Sequence, residues 1–149
     1  MLLFVAGCGA STDTAGPTGI SATSNVTPDA EMEQWEKPFW PVHARLSVTL
    51  GLVGRASLDF DVAATHRACR ELDDASQMLS DVLPSPDRIV DRDLISTVDH
   101  FREVWRQCLQ LNPITEAGFV EIRPHIDQAV DGLNKAVRRL DKLRQSGKF

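Results

Sequence analysis

The chain has 149 residues, one domain's worth and a little more. A formal net charge of −5 gives it no general attraction to nucleic acid or to anionic lipid. Tyrosine is absent, so no phenol can serve in any active site, and arginine outnumbers lysine twelve to four as aspartate outnumbers glutamate fourteen to seven, the bias of GC-rich coding DNA.

The first element is the N-terminus, Met1-Leu2-Leu3-Phe4-Val5-Ala6-Gly7-Cys8-Gly9. Its residues Val5-Ala6-Gly7-Cys8 resemble the lipobox of bacterial lipoproteins: an aliphatic residue, two small ones, then the cysteine that takes lipid. Small side chains admit the segment to a protease cleft, and the thiol receives a diacylglyceryl group before cleavage. The resemblance implies a mature chain that starts at Cys8, carries acyl chains such as palmitate, and sits on the extracytoplasmic face of a cell membrane. Each buried methylene of an acyl chain contributes about 0.8 kcal/mol, so two or three chains hold a protein stably. Residues 1–7 would then be part of a signal peptide. Such a peptide opens on basic residues and has an apolar stretch of roughly 7–15 residues. None of the residues before Cys8 is Lys or Arg, which leads us to expect the true start codon upstream.

Residues 8–30 follow as the lipidated cysteine and a tether. Between Gly9 and Asp29 there are eight Ser or Thr, with Gly16, Pro17, Gly19 and Pro28 among them. Ile20 and Val26 are the only large apolar residues, too few to offset the entropy of ordering. The composition reads as a flexible spacer, of a kind open to O-glycosylation. Asn25-Val26-Thr27 matches the N-glycosylation pattern by chance. No later apolar run is long enough to span a bilayer.

Residues 31–146 carry helical spacing rather than alternation, and predict an all-α domain, an antiparallel up-down four-helix bundle behind the tether. In the first helix Trp35, Phe39, Val42, Leu46, Thr49 and Val53 form a stripe, but Pro38 and Pro41 interrupt it. A regular start near Pro41 and an end at Gly54 are expected. The second helix is the clearest: Leu58, Val62, Thr65, Cys69, Leu72, Ser76, Leu79 and Leu83 step by four and three, with Ser57 as cap and Pro84-Ser85-Pro86 as stop. The third has Leu94, Val98, Phe101, Trp105 and Cys108, ending before Asn112-Pro113. The fourth has Phe119, Ile122, Ile126, Ala129, Leu133, Ala136, Leu140 and Leu143, with Thr115 as cap and Pro124 predicting a kink or a late start. Arg138, Arg139, Lys142 and Arg144 suit the negative end of its dipole.

Cys69 and Cys108 lie on the seams of adjacent antiparallel helices, at similar distances from the turn between them. That register permits a disulfide, and an extracytoplasmic address favours one over two buried thiols.

Catalytic signatures are missing. There is no Glu-x-x-His pair for a di-metal bundle, no Cys-x-x-Cys-His, no phosphate-binding glycine loop and no Gly-x-Ser-x-Gly. His43, His66, His100 and His125 fall one to a helix, on outer faces that do not converge, so they read as solvated surface residues. Neither a metal nor a cofactor is expected. Trp35, Phe39 and Trp40, where tether meets bundle, either cap the open end of the core or form a patch for a partner protein or the membrane surface. The sequence points to a membrane-anchored, non-catalytic interaction module docking on an envelope protein. The alternative is a small-ligand-binding or sensing domain, which needs a cavity between the helices. Seams that mix Ala, Thr and Ser with Leu suggest tight packing without one.

Overall fold

The computed structural model describes residues 27–147. The lipobox, Cys8 and the expected tether up to Val26 lie outside them. Four helices follow in order: α1 (Pro28–Leu58), α2 (Val62–Asp81), α3 (Arg88–Cys108) and α4 (Glu116–Gln145). There is no strand among the described residues. Short connections turn each helix back along the last, and consecutive helices pack together as an antiparallel four-helix bundle.

α1 is longer than its prolines suggest. It starts on Thr27, whose hydroxyl accepts from the Ala30 N–H at 3.3 Å, with Pro28 in the first turn where no donor is lost. Pro38 and Pro41 lie inside the helix without ending it. Both are exposed, as are Gln34 and Lys37, whose carbonyls lose their N–H partners, so water can take those bonds. At its other end α1 continues past Gly54 to Leu58, and the Ser57 hydroxyl donates to the Gly54 carbonyl at 2.8 Å instead of capping α2. Leu58, expected on the α2 seam, is 77% exposed in α1. The cap of α2 is Asp61, which accepts from the Ala64 N–H at 2.9 Å.

Asp87 caps α3 through the Ile89 and Val90 N–H groups and also receives Arg139 from α4 at 2.9 Å. Burial pushes the Asp87 carboxyl up, but the Arg139 guanidinium and the two N–H donors outweigh it and hold it below its ordinary value. Thr115 caps α4 as expected, and Pro124 causes no late start. The residue whose carbonyl it leaves open, Val120, is exposed.

The inner stripes are largely those of the sequence. Phe39, Leu46, Leu72, Leu79, Leu94, Phe101 and Leu140 are fully buried. In α3, Val104 takes the inner position and Trp105 is half-buried beside it. α3 and α4 come close together at Gly132, where a Cβ would lie 2.5 Å from Thr97 Oγ1 and 3.1 Å from the Asp93 carbonyl. Only glycine fits there.

Cys69 and Cys108 form a disulfide with Cα atoms 6.4 Å apart. It joins the start of α2 to the end of α3, and closing 39 residues stabilises the fold by about 4 kcal/mol in the chain-entropy model.

Candidate functional site: an apolar cleft between the first and last helices

The bundle does not close evenly. Each helix packs closely on its neighbour in sequence, whereas α1 and α4, the outer members, make no comparable contact.

Where α1 begins and α4 ends, they are bridged by side chains. Arg144 lies 2.8 Å from Glu36 Oε2, 3.4 Å from Asp141 Oδ1, and stacks over the Trp40 ring at 5.2 Å. Phe39 is sandwiched by Trp35 at 5.0 Å and Trp40 at 5.1 Å, and the Trp35 indole N–H donates to the Val82 carbonyl at 2.6 Å. Of the three aromatic residues considered as a partner patch, Phe39 is thus fully buried, and the two tryptophans are half-buried, each packed on Phe39, with the Trp35 indole N–H engaged. The group packs the end of the core.

Where α1 ends and α4 begins, the two helices part around a cleft of about 780 Å³. Leu50, Gly54 and Leu58 form one wall at successive turns of α1, and Phe119, Ile126 and Val130 form the other on α4. Val53 is the buried floor, and Phe60 stands at the mouth. The tight, cavity-free packing expected from the seams does not hold here. Those seams are right for the core, but the α1 stripe flanking it carries glycine where a bulky residue would fill the gap.

Two observations mark this cleft as more than loose packing. Gly51 and Gly54 sit inside a helix, where each costs about 1 kcal/mol relative to alanine. A Cβ at either position meets nothing within 4 Å, so no neighbour requires the small residue. Gly132, by contrast, is enforced by Thr97. The effect of Gly51 and Gly54 on the structure is to keep the α1 wall bare. Phe60 is the second case: it has φ +53°, a left-handed conformation that bulky residues avoid, and its side chain is 57% exposed beside the cleft. Strain of order 1–3 kcal/mol is retained there together with an unburied aromatic ring.

The rim carries Arg55, Arg123, Glu116 and Asp127, all exposed, with no ion pair among the described residues joining any of them. The walls and floor between them are aliphatic and aromatic apart from Ser57 and Thr115, whose hydroxyls bond the Gly54 carbonyl and the Gly118 N–H. Such a site can remove apolar surface from water, and offers no buried acid, base or nucleophile.

The histidines depart from their expected surface placement. His100 and His125 meet across α3 and α4 with Nδ1 atoms 3.3 Å apart, because the close helix approach at Gly132 brings the flanks of both seams together. His66 Nε2 lies 3.0 Å from the Leu111 carbonyl. His43 packs on Trp40, and burial lowers its pKa. No three His, Cys, Asp or Glu side chains converge to hold a metal ion among the described residues.

The fold and cleft define a class: an all-helical, disulfide-tied bundle open along one seam. Comparison with protein-family models, with curated proteins and with solved structures finds no match. The sequence reading missed the cleft, since it ended the first helix at Gly54 and placed Leu58 on the seam of the second; Phe60, at the cleft's mouth, fell on no seam.

Proposed function

We propose that this protein is a lipid-anchored, extracytoplasmic binding module without catalytic activity, whose α1/α4 cleft receives a small apolar or amphiphilic ligand. The observation that carries the ligand reading is the cleft of about 780 Å³, inside the roughly 300–1,000 Å³ range of small-molecule sites, with a helix wall kept bare by Gly51 and Gly54. This favours ligand binding over docking through Trp35, Phe39 and Trp40, since Phe39 has no exposed surface. Support for the address comes from the Val5-Ala6-Gly7-Cys8 resemblance and from the Cys69–Cys108 disulfide, a bond at home in oxidising compartments. An envelope protein that delivers or collects the ligand is the expected partner.

Two measurements test the parts separately. Mass spectrometry of the membrane-expressed protein, read from its true start, is expected to find diacylglyceryl on Cys8, and Cys8→Ala to abolish detergent partitioning. An unmodified Cys8 contradicts the anchor. Titration of the full chain carrying Cys8→Ser with an apolar fluorescent dye is expected to show one saturable site. Absence of saturable binding, or concentration-dependent dimerisation that buries the cleft, contradicts the ligand reading.

A further inference from the structure

The lining of the cleft narrows what it holds. Leu50, Val53, Phe119, Ile126 and Val130 make the interior apolar, and the two hydroxyls on its lining, Ser57 and Thr115, are engaged with the Gly54 carbonyl and the Gly118 N–H, so few directed polar contacts are left to orient a ligand. A ligand rich in buried polar groups would leave them unpaired. A flexible hydrocarbon loses nothing.

Length agrees. At 1.5 Å per residue, the α4 lining from Thr115 to Val130 extends about 22 Å and the α1 lining from Leu50 to Leu58 about 12 Å. One acyl chain covers half of a bilayer core of ~30 Å, about 15 Å, which falls between them.

The rim supplies the head-group chemistry. Arg55 on α1 and Arg123 on α4 face the cleft from its two walls. Glu116 and Asp127 share the rim, yet neither lies within ion-pair distance of either arginine, so both guanidinium forks keep their donors. Glu116 also stands in the first turn of α4, where the helix dipole favours its charge. Guanidinium groups match carboxylate and phosphate oxygens in paired, planar hydrogen bonds. With a net charge of −5 the chain has no general pull on anions, so a preference for one has to arise at this rim.

We propose that the cleft binds a single-chain amphiphile with an anionic head, a carboxylate or a phosphate, its tail between α1 and α4 and its head on Arg55 and Arg123. This rests on the reading of the cleft as a ligand site. The test uses the full chain with Cys8→Ser, so that no lipid of its own competes. Palmitate, hexadecanol and a lysophosphatidate of equal chain length are titrated below their aggregation limits. Palmitate or the lysophosphatidate is expected to bind one per chain, about tenfold tighter than the neutral alcohol, with the better of the two naming the head. The double variant Arg55→Gln with Arg123→Gln is expected to remove that advantage while leaving hexadecanol binding intact, and raised salt to shrink it. Gly54→Leu is expected to abolish all three. Equal affinity for acid and alcohol, or an advantage that survives the double variant, overturns the head assignment. Dye binding with no amphiphile binding overturns the ligand class alone, whereas loss of both overturns the cleft reading itself.

Discussion

At one end of the seam between α1 and α4, Arg144 reaches across to Glu36 and Trp40 over a buried Phe39. At the other, the same two helices separate around bare glycines, with Leu58 and Phe60 left in solvent. The contrast lies in side-chain volume along one stripe of α1. Phe39 and Trp40 fill the gap at the closed end, and Gly51 and Gly54 leave it empty at the open end. The open end is not simply weak, because the Cys69–Cys108 disulfide ties α2 to α3 directly behind it. That arrangement lets α1 and α4 stand apart without loosening the base of the bundle.

The largest expected effect comes from the closed end. Phe39→Ala removes a fully buried aromatic ring and should cost about 3–5 kcal/mol in urea unfolding, while Phe119→Ala, half-buried in the cleft wall, should cost about 1 kcal/mol or less. Similar losses at both sites would erase the distinction between the two ends. Next is the disulfide: replacing Cys69 and Cys108 by serine should lower stability by about 2–4 kcal/mol, read by thermal melting with and without reductant on the parent chain.

A smaller effect belongs to Asp87, on the α3/α4 side that packs tightly. Asp87→Ala should cost about 1–2 kcal/mol through the lost cap, and Asp87→Asn less, since asparagine also caps. The folded-state pKa of Asp87 is lowered, so its contribution is present above the ordinary carboxylate range and is lost as pH falls through the folded value. Unfolding free energies measured across the acid range should therefore show a shallower decline for Asp87→Asn than for the parent chain. An unchanged acid limb would remove the Arg139 pair from the account.

Much of the fold was legible because helical seams obey a fixed spacing. Leu72, Leu79, Leu94, Phe101 and Leu140 each occupy the inner position their sequence neighbours demand. The ends of α1 were misread for two physical reasons. An interior proline costs a helix a hydrogen bond and a steric clash, but Pro38 and Pro41 sit on the solvent side, where water can take the freed carbonyls, and the buried stripe of α1 carries the helix through them. Gly54 carries a stop signal in isolation, but it is helical here, and α1 ends instead at Leu58, with Asp59 as its cap and Phe60 in the left-handed conformation beyond it. The cleft was hidden for a related reason: an unfilled gap belongs to two helices far apart in sequence, and neither stripe alone records it. The meeting of His100 with His125 likewise depends on how closely α3 approaches α4 at Gly132, which is a property of the pair.

The smallest stability effect falls on the glycine that keeps the cleft open. Gly54 should be a position where stability and function oppose each other. Gly54→Ala should stabilise the chain by about 0.5–1 kcal/mol, and Gly54→Leu should be at least as stable as the parent, since its Cβ meets nothing within 4 Å. Thermal melting and dye titration on the same Gly54→Leu sample decide the matter. Unchanged or higher stability together with lost binding is the expected result. Undiminished binding in a stable Gly54→Leu protein would contradict it, and so would a marked fall in stability, which would make the glycine a packing requirement.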